Sequence, residues 1–352
     1  MRAPAPMPDC PRPPAARARA DAGWRRVPLR RLLLVLVAMA IIAALPFVDW
    51  AGLGMALAAA DPYWLAMAVI ANLAVFPLWV WQWRLLALPG RDVGWPVMAE
   101  IVALTAAAKT TLSSIGGGAS AVALLVARGE LTLIGATSLL AMDQLLVGIA
   151  KLAVLALALS IAPLPAPVFT AALVFAALVA ALLAALTVLA FGPARLAGIV
   201  ARRRRLGAWL GNMLGHVSVG LATMRSPQRA ALTLALALVK KFTEVAAALA
   251  IQLACGIAPS PAAAILSVAA VSLTTAIPVI PGNIGTYAAT VFLVYEGLGI
   301  PAAPALAAGL LQHGAMLIPS LAIGYGAVAL SRLGAGGAAA GEAAQETEQD
   351  PA

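Results

Sequence analysis

Residues 131–161 read LTLIGATSLLAMDQLLVGIAKLAVLALALSI. The run exceeds the roughly 20 residues that carry a helix across a bilayer. Its fifteen Leu, Ile and Val residues favour insertion by about 4.5–9 kcal/mol, while two central charges cost about 5–7 kcal/mol. Those charges are Asp143 and Lys151, eight residues apart, or roughly 12 Å along a helix. They are too distant to pair with each other, so the segment needs partners inside a bundle, a wet cavity, or snorkelling toward the interface.

The rest of the chain has the same character. Of its 352 residues, 63% are hydrophobic and 11% are charged, whereas soluble domains have about 45–50% apolar and about 25% charged residues. Apolar runs at 32–48, 63–83, 131–161, 167–191, 230–254 and 305–330 predict six full crossings of an all-α, polytopic membrane helix bundle. Two further runs, 97–127 and 262–299, are each interrupted, by SSIGGGAS at 113–120 and by PVIPGNIG at 278–285. Glycine and proline weaken a helix in mid-run, and irregular backbone is not tolerated against lipid. Both interrupted runs therefore predict re-entrant hairpins, making eight membrane segments in all.

The net charge of +9 does not point to nucleic acid, because the basic residues cluster beside apolar runs. Eight arginines precede residue 32, and seven more lie at 195, 202–205, 225 and 229. Such clusters stay on the cytoplasmic side, where they attract anionic headgroups. Both termini and the 192–229 loop are therefore expected in the cytoplasm, and the loops at 49–62 and 255–261 outside. The start of the chain also has features of a signal peptide, with arginines, an apolar run and Ala58-Ala59-Ala60. Its long Pro-rich basic region favours an uncleaved first span. Trp79, Trp81 and Trp83 fall at a predicted cytoplasmic end, with Trp95 entering the first hairpin and Trp50 and Trp64 on the opposite side, as expected of a headgroup belt. Residues 206–225 suit an interfacial helix, and the Gly/Ala-rich, then acidic tail within 331–352 is expected to be disordered.

This division gives a basic tail at 1–31, a membrane domain at 32–330 with halves at 63–161 and 230–330, and the terminal tail. Each half reads crossing, broken hairpin, crossing, and the two are opposite in orientation. Asp143 follows Gly118 by 25 residues, and His313 follows Gly285 by 28. Inverted repeats with interrupted segments in matching places are how transporters build a midplane site; helix-breaking glycines also serve simple close packing. The candidate substrate-path residues are Lys109, Gly116, Gly117, Gly118, Arg128, Asp143, Lys151, Lys240, Lys241, Glu244, Pro281, Gly282, Asn283, Gly285 and His313. Lys240 and Glu244 share a helix face at i, i+4, so mutual pairing is their simplest role; the two lysines also suit cytoplasmic-edge anchors. His313, alone on an apolar face, reads first as a hydrogen-bonded structural residue and second as a proton carrier.

No hydrolase elbow, phosphate loop or metal cluster is present in the sequence. GGGAS lacks the lysine and Ser/Thr of a phosphate loop, and Cys10 and Cys255 have no metal or disulfide spacing. No cofactor is expected.

PVIPGNIGTYAATVFLVYEGLGIP at 278–301 followed by LLQHG at 310–314 resembles the C-terminal signature of the transmembrane region family of lysylphosphatidylglycerol synthases. Members lacking the synthase domain are called flippase-like. WQWRLLAL at 81–88, the Gly-rich break, Arg128-Gly129 and Asp143-Gln144 are compatible with it. Ala288 and Ala289 stand where members often have Glu, Gln144 where they tend to have Arg, and glycines where the first break tends to have proline. The resemblance implies lipid translocation, or lipid-linked envelope biosynthesis, in a bacterial inner membrane. About twenty residues follow the last span, too few for a catalytic domain of about 50–200 residues, so no synthase activity is expected. Two functions remain open at this point: a translocator of lipid or lipid-linked substrates, and a non-transporting membrane enzyme or accessory subunit using Asp143, His313 or Glu244 to handle protons.

Overall fold

The computed structural model describes residues 48–87, 92–112, 114–161, 226–275 and 281–348, with isolated positions 39, 46, 170 and 177. The spans expected at 32–48 and 167–191, the interfacial helix at 206–225 and most of the basic loop lie outside the described residues. Among the described residues the chain is helical throughout, without strands. The helices are α1 (Trp50–Ala58), α2 (Pro62–Leu86), α3 (Trp95–Leu112), α4 (Ser114–Ala127), α5 (Leu133–Ile161), α6 (Pro227–Ala254), α7 (Pro261–Thr274), α8 (Thr286–Gly297) and α9 (Ala302–Glu348); a 3-10 turn, Pro281–Asn283, precedes α8.

Local chemistry starts several of them. The carboxylate of Asp61 accepts from Tyr63 N–H, and Pro62 occupies the first turn of α2. Ser260 does the same for α7 by accepting from Ala263 N–H, with Pro261 next. These are the side-chain caps and N1 prolines that satisfy or remove otherwise unpaired donors. Hydroxyls within the apolar helices bond back to their own carbonyls, as Thr110 to Ala106 and Thr233 to Arg229, which satisfies them without a partner outside the helix.

Among the described residues, three helical stretches are long and apolar enough to cross a membrane: Pro62–Leu86, Leu133–Ile161 and Ala302–Ser331. The α6 helix has sufficient length, but Arg229, Lys240, Lys241 and Glu244 lower its apolarity. It is the innermost partner of α2. Asp61 N–H donates to Ala254 O at 2.8 Å, and the Gln82 amide donates to Thr233 O at 3.2 Å. The order of these contacts makes α2 and α6 antiparallel. Residues at the C-terminal half of α2 pack with α3, α4 and the start of α5 around Trp83, Met98 and Leu125. Its N-terminal half packs through Ala68 against α6, α7, α8 and α9, and the end of α5 packs on α6 and α7.

The first broken run folds as two antiparallel helices. At one end a Cβ on Gly117 would meet the Lys109 backbone at 2.6–2.8 Å; at the other, Arg128 pairs with Glu100. Sequence reading places the glycines in an irregular break, but Gly116, Gly117 and Gly118 lie inside α4. The missing side chain of Gly117 lets α4 lie directly on α3 at Lys109, which is the close-packing role of small residues in membranes.

Two other expectations are modified. The loop read at 49–62 contains α1, capped by Asp49 and packed on α9, where a Cβ on Gly52 would lie 3.3 Å from that of Ala303. The α9 helix runs on to Glu348, through a tail expected to be disordered; its many alanines are the strongest helix formers.

Candidate functional site

Side chains from four helices line one cavity of about 220 Å³: Trp79 from α2, Lys109 from α3, Asp143 and Gln144 from α5, and Lys240, Lys241 and Glu244 from α6. Each is there for a local reason. The antiparallel contact with α2 turns the Lys240 face of α6 inward. The α3–α4 contact at Gly117 lies against Lys109 itself. Asp143 is only 1% exposed, on a face of α5 that also buries Leu139, Leu146 and Ala150.

Lys240 Nζ lies 3.9 Å from Asp143 Oδ1, and the Gln144 amide donates to Asp143 Oδ2 at 3.2 Å. Among the described residues, Oδ1 has no hydrogen-bond donor. Lys241 Nζ lies 2.6 Å from Glu244 Oε2. The i, i+4 partner expected for Lys240 is thus bound instead to Lys241, at i, i+3. Lys109 Nζ sits 4.6 Å from the Trp79 ring centroid, and Lys240 Nζ sits 5.8 Å from the same ring. Both are cation–π contacts, which hold each Nζ against the face of the indole.

Trp79 is the cavity residue that sequence reading assigns elsewhere, to the headgroup belt. Trp79 and Trp83 stack edge to face at 5.4 Å, Trp83 is fully buried, and Trp81 is 42% exposed. The i, i+4 spacing of Trp79 and Trp83 was the available signal, since it puts both on one helix face and Trp81 on another.

The remaining candidates fall in three places. Lys151 is half-buried further along α5 and does not line the cavity. Arg128 is at the open end of the α3–α4 pair. His313 and the PGNIG residues form a separate brace: His313 Nε2 donates to Gly282 O at 2.9 Å, and its ring stacks on Tyr287 at 4.8 Å. Gln312 donates to the Tyr287 hydroxyl at 3.3 Å. Gly282, Asn283 and Gly285 have φ of +64°, +53° and +84°, the left-handed region in which glycine is unstrained. Pro281 opens this turn. A Cβ on Gly282 would lie 3.2 Å from Thr110 O at the end of α3. The two interrupted runs therefore meet at their turns, one residue from Lys109.

A family model described as the lysylphosphatidylglycerol synthase TM region matches residues 31–324. No curated protein and no solved structure matches the chain.

Proposed function

The chain belongs to the lysylphosphatidylglycerol synthase transmembrane region family, a family of membrane proteins with a lipid-related role, and from that membership we propose that it is a flippase-like translocator of lipid or lipid-linked substrates. One observation carries the reading: buried ionisable side chains from both halves of the chain line one cavity inside the bundle. Ionisable residues are costly in a membrane, and their usual place is a substrate or ion path.

The proposed architecture has eight membrane segments, six of them in two inverted repeats. In each repeat a crossing (α2 or α6) is followed by a re-entrant hairpin (α3–α4 or α7–α8) and a second crossing (α5 or α9). Its support is the antiparallel α2–α6 pair and the reciprocal packing, with α3 against α9 and α7 against α5. The hairpin turns, meeting at Gly282 and Thr110, form a movable partition between the leaflets. Arginines at the cytoplasmic surface of the cell membrane gather anionic headgroups. The candidate path then runs from Arg128 past the Lys109–Asp143–Lys240 cavity toward the PGNIG turn.

In proteoliposomes, the purified protein is expected to exchange fluorescent phospholipids between leaflets faster than protein-free vesicles of the same composition. Rates equal to those of protein-free vesicles, for anionic and zwitterionic lipids alike, would remove the translocator reading. The topology has its own test in cells: a cysteine introduced at position 204 should resist membrane-impermeant thiol reagents until the membrane is opened. Labelling from outside intact cells contradicts the inverted arrangement.

A further inference from the structure

We propose that the cleft between α3 and α9 is a binding site for the acyl chains of one phospholipid, drawn from the leaflet on the Arg128 side. The inference rests on the translocator reading only for the role of that lipid, as a substrate waiting to enter.

The cleft follows from how the two helices meet. At Gly324 they touch, since an added Cβ would lie 2.9 Å from Ala103 O and 3.3 Å from Ala107 Cα. From that contact toward the start of α3 they part, and a cleft of about 590 Å³ opens between them. Pro96, Ala99 and Ala103 of α3 face Ile323, Ala327 and Leu330 of α9 across it. Its polar lining residues are already satisfied: Glu100 pairs with Arg128, and the Ser331 hydroxyl donates back to Val328 O at 2.9 Å. Both lie at one end, beside the exposed Trp95, whose ring centroid is 5.0 Å from the Arg84 guanidinium. A tryptophan among charged residues at a helix start suits the headgroup level, so the apolar walls run from there into hydrocarbon. From Pro96 to Ala103 they extend roughly 10 Å along the helix, within the roughly 15 Å of hydrocarbon in one leaflet.

Size and chemistry select the occupant. A helix with its side chains is about 10–12 Å across, so two turns of one fill roughly 850–1,200 Å³ and do not fit. The same cleft of about 590 Å³ holds roughly 20 groups of water size at about 30 Å³ each, and a methylene is close to that size. Over so short a depth, this is the upper part of two acyl chains side by side. Water is a poor occupant, because it needs polar partners that these walls do not offer. An empty cleft would forfeit dispersion contacts along both walls. Acyl chains restore those contacts, and they place their headgroup beside the Glu100–Arg128 pair.

The test is photolabelling of the full-length protein in detergent, where no leaflets exist, so binding is read whether or not the protein translocates. The probe is phosphatidylglycerol with a diazirine on one acyl chain, and labelled residues are mapped by mass spectrometry. Saturable labelling concentrated at 96–103 and 323–331 is expected. Ala99→Phe and Ala327→Phe, which fill the cleft, should each lower it by about threefold or more. Ala329→Phe, at an exposed position of α9 outside the cleft, should leave it unchanged. Ala99 is itself exposed, so its variant is expected to melt as the parent does; if neither cleft variant folds, the position and saturation of labelling in the parent decide. Labelling spread over all exposed helix faces and rising linearly with probe, or undiminished in the folded cleft variants, overturns the proposal. So does cross-linking of Ala327→Cys to Met39→Cys, or to itself in a second copy, because the chain's own first apolar run or a dimer then fills the cleft. If labelling is as expected but proteoliposomes show no leaflet exchange, the lipid site stands and the translocator reading alone fails.

Discussion

Replacing Lys240 with methionine destabilises the protein by about 3–5 kcal/mol, and adding Asp143→Asn to that variant recovers most of the loss. The reason is the asymmetry of buried ion pairs: removing one partner strands the other charge, whereas removing both takes away the desolvation cost as well. Asp143 and Lys240 are 1% and 8% exposed, so solvent screens the stranded charge little. The 3.9 Å separation makes the intact pair itself modest, which further favours the double variant. Unfolding of the parent, the two single variants and the double variant in detergent gives the coupling. A parallel cycle with Lys241→Met should be close to additive with Asp143→Asn, because Lys241 is bound to the more exposed Glu244. Additive losses in the Lys240 cycle would mean that the two residues are not a pair.

Gly309→Ala is expected to cost about 1–3 kcal/mol from a single added methyl group. Its Cβ would lie 2.5 Å from Ala288 O, and the next atoms, Ala288 C and Cα, are at 3.2 and 3.3 Å. All three belong to backbone, so no side-chain rotation relieves the clash; α8 must move away from α9. That shift reaches Tyr287 and its stack on His313, and with them the turn at Gly282. Leaflet exchange should therefore fall along with the melting temperature. Gly326→Ala on the same helix is the control, since nothing lies within 4 Å of its added Cβ and its effect should stay within about 0.5 kcal/mol. Equal melting temperatures for both variants would show that α8 and α9 separate without cost.

The residue types of the polar site were legible, but their partners were not. The energy balance of residues 131–161 already required Asp143 to be satisfied from outside its own helix. Periodicity placed Glu244 on the Lys240 face, yet Glu244 is also three residues from Lys241, and a helix allows both pairings. The presence of Asp143 opposite Lys240 decided between them. Likewise, three tryptophans at alternate positions fit a headgroup belt; their spacing puts Trp79 and Trp83 on one helix face and Trp81 on another, and only the packing of α2 against α3 and α6 makes the first face the inward one.

By itself the sequence determined that the chain is an all-helical membrane protein, where several helices begin, and that two apolar runs are interrupted. These follow from short-range physics: the length needed to cross hydrocarbon, the caps at Asp61 and Ser260, and the backbone limits of proline and glycine. Tertiary structure decided the rest. It made Gly116, Gly117 and Gly118 part of α4 and Gly117 the seat for the α3 backbone at Lys109, because a glycine's helix penalty of about 1 kcal/mol is outweighed when its missing side chain admits a neighbouring helix. It also brought Lys109, Asp143 and Lys240 to one cavity. Their convergence depends on the rotation and register of α3, α5 and α6, which periodicity along one helix leaves free until the bundle packs.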